Sequence, residues 1–101
     1  MTNPGRPSSY APEAAGFLTA MANEKRLLAL MILAEGEMFV ADLAQRVGLS
    51  NSALSQHLGI MREFGLVTRR QNRQRAYYSC TDPVLKVLKL LARLEERGTL
   101  P

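Results

Sequence analysis

The stretch GLSNSALSQHLGIMREFGLV at residues 48–67 constrains this chain more than any other. Ser50 follows a glycine and is a good helix N-cap, because its short oxygen can take a free backbone N–H of the first turn. Gly65 closes the run as a C-cap candidate. Leu54, Leu58 and Met61 repeat at i, i+4 and i+7, the spacing of one buried helix face. The opposite face carries Ser52, Ser55, Gln56 and Gly59. A solvated helix face is ordinarily rich in Lys and Glu. A face of short, uncharged polar side chains can instead enter a DNA major groove and hydrogen-bond base edges.

The flanking segments fit that reading. ADLAQRV at 41–47 predicts a short helix with Leu43, Ala44 and Val47 inward, and Gly48-Leu49-Ser50 is the turn out of it. Two helices joined by a short Gly-containing turn form a helix-turn-helix. After Gly65 the pattern becomes extended. LVTRR at 66–70 and RAYYSC at 75–80 predict two strands around the polar turn Gln71-Asn72-Arg73-Gln74, a β-hairpin with arginines toward its tip. A helix-turn-helix followed by such a hairpin is a winged helix.

Three further helices are expected. One starts near Pro12 and runs to residue 22, with Phe17, Leu18 and Met21 as its stripe. A second is capped by Asn23, is apolar almost all round and belongs in the centre of the fold. The last opens at Asp82-Pro83, with Asp82 as N-cap. Its stripe of Val84, Val87, Leu88, Leu91 and Leu94 is wider than one chain of 101 residues can cover. With Phe17, Leu18 and Met21, it is expected to form a dimer interface. The fold class expected is therefore mostly α with a small β-hairpin: a dimeric winged helix-turn-helix of five helices and a two-stranded wing. Residues 1–11, rich in Pro, Gly and Ser, are read as a flexible arm, 12–97 as the DNA-binding and dimerisation domain, and 98–101 as a tail.

Charge locates the partner. Residues 50–81 hold Arg62, Arg69, Arg70, Arg73 and Arg75 against Glu63 alone, a surplus equal to the whole chain's net +4. Such a concentration beside a polar helix face is the footprint of a phosphate-binding surface. Asn51 and Ser52 at the helix start are placed on phosphate with the free N–H groups there. Ser55 and Gln56 are placed on base edges, Gln56 as the best reader because its amide can pair bidentately with adenine. Arg69, Arg70, Arg73 and Arg75 are expected to hold DNA through the wing, Arg73 first. Strand alternation turns Arg69 and Arg70 to opposite faces.

Other classes find little support. One histidine, one cysteine and no Gly-rich phosphate loop leave no catalytic constellation, so an enzyme is not expected. A lone Cys80 excludes an intrachain disulfide and suits a reducing cytoplasm. It is read as a small half-buried residue, with oxidation the alternative. No apolar run reaches the length of a membrane span. The competing function from another class is a protein-binding winged-helix module without DNA affinity, against which the charge distribution speaks.

The chain resembles the ArsR/SmtB-type winged-helix repressors of bacteria over residues 14–95. The resemblance is carried by MANEKRLLAL at 21–30, VADLAQRVGLSNSALSQHLGIMREFGLV at 40–67 and RAYYS at 75–79. AAGFLTAMANEKRLL and GLSNSALSQHL look most like its NolR-like branch. The resemblance implies a homodimer joined by first and last helices, and operator binding near a promoter, usually as a repressor. His57, common in the family motif, can on that resemblance reach DNA; a structural hydrogen bond is the equal alternative. The family's metal sensors place cysteines where this chain has Phe39 and Ala41, and another of its metal sites needs histidines that 83–101 lack. Its dithiol switch needs a cysteine where Met31 stands and a second on the last helix, which has none. No metal and no cofactor is therefore expected. A small-molecule or redox effector is left open.

Overall fold

The protein is described by a computed structural model covering residues 7–101; the first six, part of the expected arm, lie outside the described residues. The elements run α1 (Pro7–Met21), α2 (Glu24–Leu33), β1 (Met38–Phe39), α3 (Val40–Val47), α4 (Asn51–Glu63), β2 (Val67–Asn72), β3 (Arg75–Cys80) and α5 (Asp82–Glu96). No helix among them is long and apolar enough to cross a membrane.

Local chemistry sets most boundaries. The Asn23 side chain accepts from the backbone N–H of Arg26 at 3.1 Å and starts α2. Ser50 Oγ accepts from the N–H of Ala53 at 3.1 Å and starts α4. Gly65, at φ +78°, ends α4. There the N–H of Leu66 reaches the Met61 carbonyl (2.8 Å) and that of Gly65 reaches Arg62 (3.1 Å). This is the paired bonding of a Schellman turn, which needs a left-handed residue at that position.

Four expectations are corrected. Helix α1 begins at Pro7, so residues 7–11 are helical. Proline at the first helical position loses only an N–H that had no partner. Pro12 then sits inside the helix and gives up one backbone bond. The wing is not two-stranded, because Met38 and Phe39 pair antiparallel with Tyr78 and Tyr77, giving a sheet of order β1-β3-β2. Helix α5 is capped by Thr81, not Asp82, and without a side-chain cap bond. The Thr81 hydroxyl instead donates to the carbonyl of Gly65 (2.8 Å), tying the end of α4 to the start of α5. Finally, α2 is not central on every side: Leu28 and Met31 are 38% and 46% exposed.

The core joins Leu30 of α2, Leu43 of α3, Leu54, Leu58 and Met61 of α4, Leu66, and Val84 of α5, all fully buried. Each such side chain contributes roughly 1.5–3 kcal/mol by leaving water. Three come from α4, so that helix is seated along one face while its other face stays free.

Candidate nucleic-acid interface

The free face of α4 carries the residues expected to read DNA. Asn51, Ser52, Ser55, Gln56 and Gly59 are all exposed, while Leu54, Leu58 and Met61 point into the core. Gly59 is informative. A Cβ built there meets nothing within 4 Å, so the fold itself has no steric need for glycine. Glycine inside a helix costs about 1 kcal/mol relative to alanine. The missing side chain thus clears space only outward, on the face where a ligand would approach.

The wing follows directly on α4, with β2 starting at Val67. Asn72 pairs with Arg75, leaving Arg73 and Gln74 as a two-residue turn. Arg73 has φ +59°, the one positive φ among the described non-glycine residues. Glycine usually fills that place in a hairpin turn, since a left-handed residue with a Cβ costs about 1–2 kcal/mol. Gln71 steadies the turn by donating to the Arg73 carbonyl at 2.9 Å. The result is an exposed guanidinium at the tip of the hairpin.

The other arginines are already engaged. Arg70 makes a two-pronged ion pair with Glu37 (2.7 and 3.0 Å) and lies over the Tyr77 ring at 5.0 Å. The hydrogen bonds from Arg70 hold the Glu37 carboxyl below the usual carboxylate range, and Glu37 in turn raises the Arg70 guanidinium. Arg75 lies over the Phe39 ring at 4.8 Å. Both thus line the outer side of the sheet, held by an acid or a ring. Arg69 donates to Gln71 Oε1 at 2.7 Å. Arg73, expected to lead the four, is the free tip, and Arg69, Arg70 and Arg75 are three ordered stems.

His57 does not share the reading face. One residue past Gln56 turns the side chain about 100° around the helix, toward α2. There its Nδ1 accepts from Arg26 Nε at 2.9 Å, and the ring is half-buried. Of its two expected roles, the structural hydrogen bond is the one occupied. Cys80 is likewise turned inward. Its Sγ–H donates to the Leu30 carbonyl at 3.2 Å, and burial pushes the thiol up to about 11. That is the environment of an inert thiol, since the thiolate is the reactive form.

The expected dimer residues divide. Met21 and Val84 are 4% and 0% exposed and belong to the protomer's own core, so they are corrected. Leu18 is 58% exposed, and Phe17, Val87, Leu88, Leu91 and Leu94 are half-buried. Leu27 and Met31 of α2 join Leu88 and Leu91 of α5 in lining one apolar groove. The contribution of α2 was missed because its residues read as core. Reasoning from sequence also missed Lys25, Arg26 and Glu37 as contacts, whose partners lie far along the chain. Among the described residues no three His, Cys, Asp or Glu side chains stand together as metal ligands.

With this geometry in hand, similarity to known proteins is specific. The family described as "Bacterial regulatory protein, arsR family" matches residues 23–69. The nodulation protein NolR of Rhizobium meliloti is 56% identical over 80 residues, which cover 78% of this chain and 66% of that relative's length. The crystal structure of NolR from Sinorhizobium fredii superposes with a TM-score of 0.82 at 48% identity, covering 93% of this chain and 94% of that one. A homodimeric winged helix-turn-helix DNA-binding domain from Mycobacterium bovis superposes with a TM-score of 0.84 at 27% identity, covering 95% and 90%.

Proposed function

The chain belongs to the ArsR family of bacterial regulatory proteins, DNA-binding transcription regulators and not enzymes, and from that premise we propose that it works as a homodimeric repressor on a two-fold symmetric operator. The observation that carries this reading is the free face of α4. It is polar and uncharged, engaged among the described residues only where the Ser52 hydroxyl lies 3.4 Å from that of Ser50, and the arginine raised on the hairpin tip follows it in the chain. Gln56 and Ser55 read bases in the major groove, Asn51 and Ser52 hold phosphate at the helix start, and Arg73 grips flanking backbone. Arg69, Arg70 and Arg75 order the wing and add to its field.

Dimerisation is supported by apolar surface left over from the core. Leu18, Leu28, Met31 and Leu90 are each more than a third exposed on α1, α2 and α5. A second copy would cover them, as the Mycobacterium bovis neighbour is described to be homodimeric. Two-fold symmetry then spaces the half-sites about 10 bp apart or a multiple of it. A dimer lying in a promoter's grooves excludes polymerase, which makes repression the simplest outcome.

Gel shift of promoter fragments at several salt concentrations tests the reading. Expected is sequence-selective retention that weakens steeply with salt. Equal retention of all fragments, or none with tight capture of a protein instead, would overturn it. Gln56→Ala should cost roughly 1–3 kcal/mol at one base pair and leave other sequences alone.

A further inference from the structure

The two helices of the helix-turn-helix, α3 and α4, are held from behind by neighbouring residues at the start of α2. Lys25 Nζ donates to the Val47 carbonyl at 2.9 Å, at the C-terminal end of α3, where a cation also complements the helix dipole. Arg26 Nε donates to His57 Nδ1 of α4 at 2.9 Å. A second nitrogen of the same guanidinium donates to the Ala20 carbonyl in the last turn of α1 at 3.3 Å. A third fastening lies further along. Gly16 of α1 lets the Phe64 ring at the end of α4 approach so closely that a Cβ there would stand 2.7 Å from Cε1.

These contacts share a logic. On one side are α1 and α2, whose outer faces expose Leu18, Leu28 and Met31. On the other are α3 and α4. Arg26 touches α1 and α4 while belonging to α2, so one planar guanidinium fixes three helices. A planar fork does this better than a flexible ammonium, because less freedom is lost per bond formed. His57, with Nδ1 occupied as acceptor, carries its proton on Nε2.

We propose that Arg26, seconded by Lys25, is a positioning residue for DNA reading: it sets the angle at which each recognition helix leaves the dimer, and so the half-site spacing the protein accepts. The inference rests on the DNA-reading dimer proposed above. Arg26 acts through His57 and touches no base or phosphate.

The test is a double-mutant cycle read on two DNAs, the operator and the same operator with one base pair inserted between its half-sites. Arg26→Met keeps the stem and removes the donors. It should weaken operator binding about ten-fold, leave binding to the spaced operator and to random DNA unchanged, and leave the salt slope unchanged. His57→Leu should do the same, and the double variant should be no worse than either. His57→Asn places a carboxamide near Nδ1 and should restore the operator preference, whereas His57→Gln places it near Nε2 and should not. That polar pair keeps the test decisive should Arg26→Met fold poorly. In the free protein, the imidazole ¹⁵N signals should report Nδ1 as a hydrogen-bond acceptor, a signature that Arg26→Met abolishes. A salt slope lowered by about one with equal losses on all DNAs would make Arg26 a phosphate contact and overturn the proposal. Additive losses, or unchanged spacing preference, would overturn it too. Were the wild-type chain itself to bind DNA without preference, the functional reading would fall and this inference with it; the wild-type lanes tell the two failures apart.

Discussion

Helix α4 has two sides, and they depart from local rules in different ways. On the rear, each oddity has a partner inside the molecule. Gly16 is a glycine within a helix because Phe64 needs the space, and half-buried His57 is matched by Arg26. On the outer side no side chain among the described residues answers them: Gln71 holds only the Arg73 carbonyl, and the guanidinium stays free. Gly59 clears space that nothing in the protein fills, and Arg73 holds a conformation that glycine would hold more cheaply. A departure with an internal partner is explained by how the protein holds its own elements in place. One without an internal partner is explained by something that arrives from outside, which is where strained and locally unfavourable residues tend to collect.

That contrast breaks most visibly at the core. Leu58 is fully buried on the rear of α4, so Leu58→Ala should cost roughly 2–5 kcal/mol of stability, read as a drop in denaturation midpoint. Ser55→Ala, three residues away on the free face, should stay within about 0.5 kcal/mol while weakening operator binding. Comparable stability losses at the two positions would mean the faces are not distinct.

Gly59→Ala gives the next effect, and its sign matters. With nothing within 4 Å of the new methyl, the helix should gain up to about 1 kcal/mol. Operator affinity should fall at the same time, because the methyl occupies the clearance. A variant that is more stable and binds DNA as well as wild type would remove Gly59 from the reading surface. Arg73→Gly should behave in parallel at smaller scale. Relief of the positive φ, offset by glycine's greater chain entropy, leaves a gain below about 1 kcal/mol. Binding to all DNA should weaken together, with the salt slope reduced by about one. Lost selectivity with unchanged slope would make Arg73 a base reader instead.

What could be read from sequence follows the range of each interaction. Asn23, Ser50 and Gly65 act on backbone groups within a few residues, so the start of α2 and both ends of α4 were legible, and the Ser/Gln face followed from helical period alone. Pro12 misled for the same reason: as a local signal it marks a helix start, but Pro7 offers an equal one earlier. Interactions across the fold left no local trace. Arg26 and His57 are 31 residues apart, and Glu37 and Arg70 are 33 apart. Nothing near either partner distinguishes a paired arginine from a free one, so the tip position of Arg73 was legible but the engagement of Arg69, Arg70 and Arg75 was not. Apolar residues carry the same ambiguity. Met21, Val84, Leu28 and Met31 look alike as a pattern, yet the first two fill the core and the last two remain at the surface.

Cys80 gives the finest test, because it is the thiol of a family in which thiols can act as switches. By the rule of partners it belongs to the rear: half-buried, bonded to the Leu30 carbonyl, and with burial alone raising its ordinary value of 9.0 to about 11. A raised value means the folded state prefers the protonated thiol. Its contribution to stability is therefore complete below about pH 9 and is lost as pH climbs through 9 toward 11. Alkylation of the native protein should be slow at neutral pH and accelerate across that same window, since only the thiolate attacks. Cys80→Ala should leave operator binding indifferent to mild oxidants, as wild type should already be. Rapid labelling at pH 7, or peroxide-dependent release of DNA that Cys80→Ala abolishes, would place the thiol on the functional side of the divide, and an internal partner would no longer mark a residue as closed to reagents from outside.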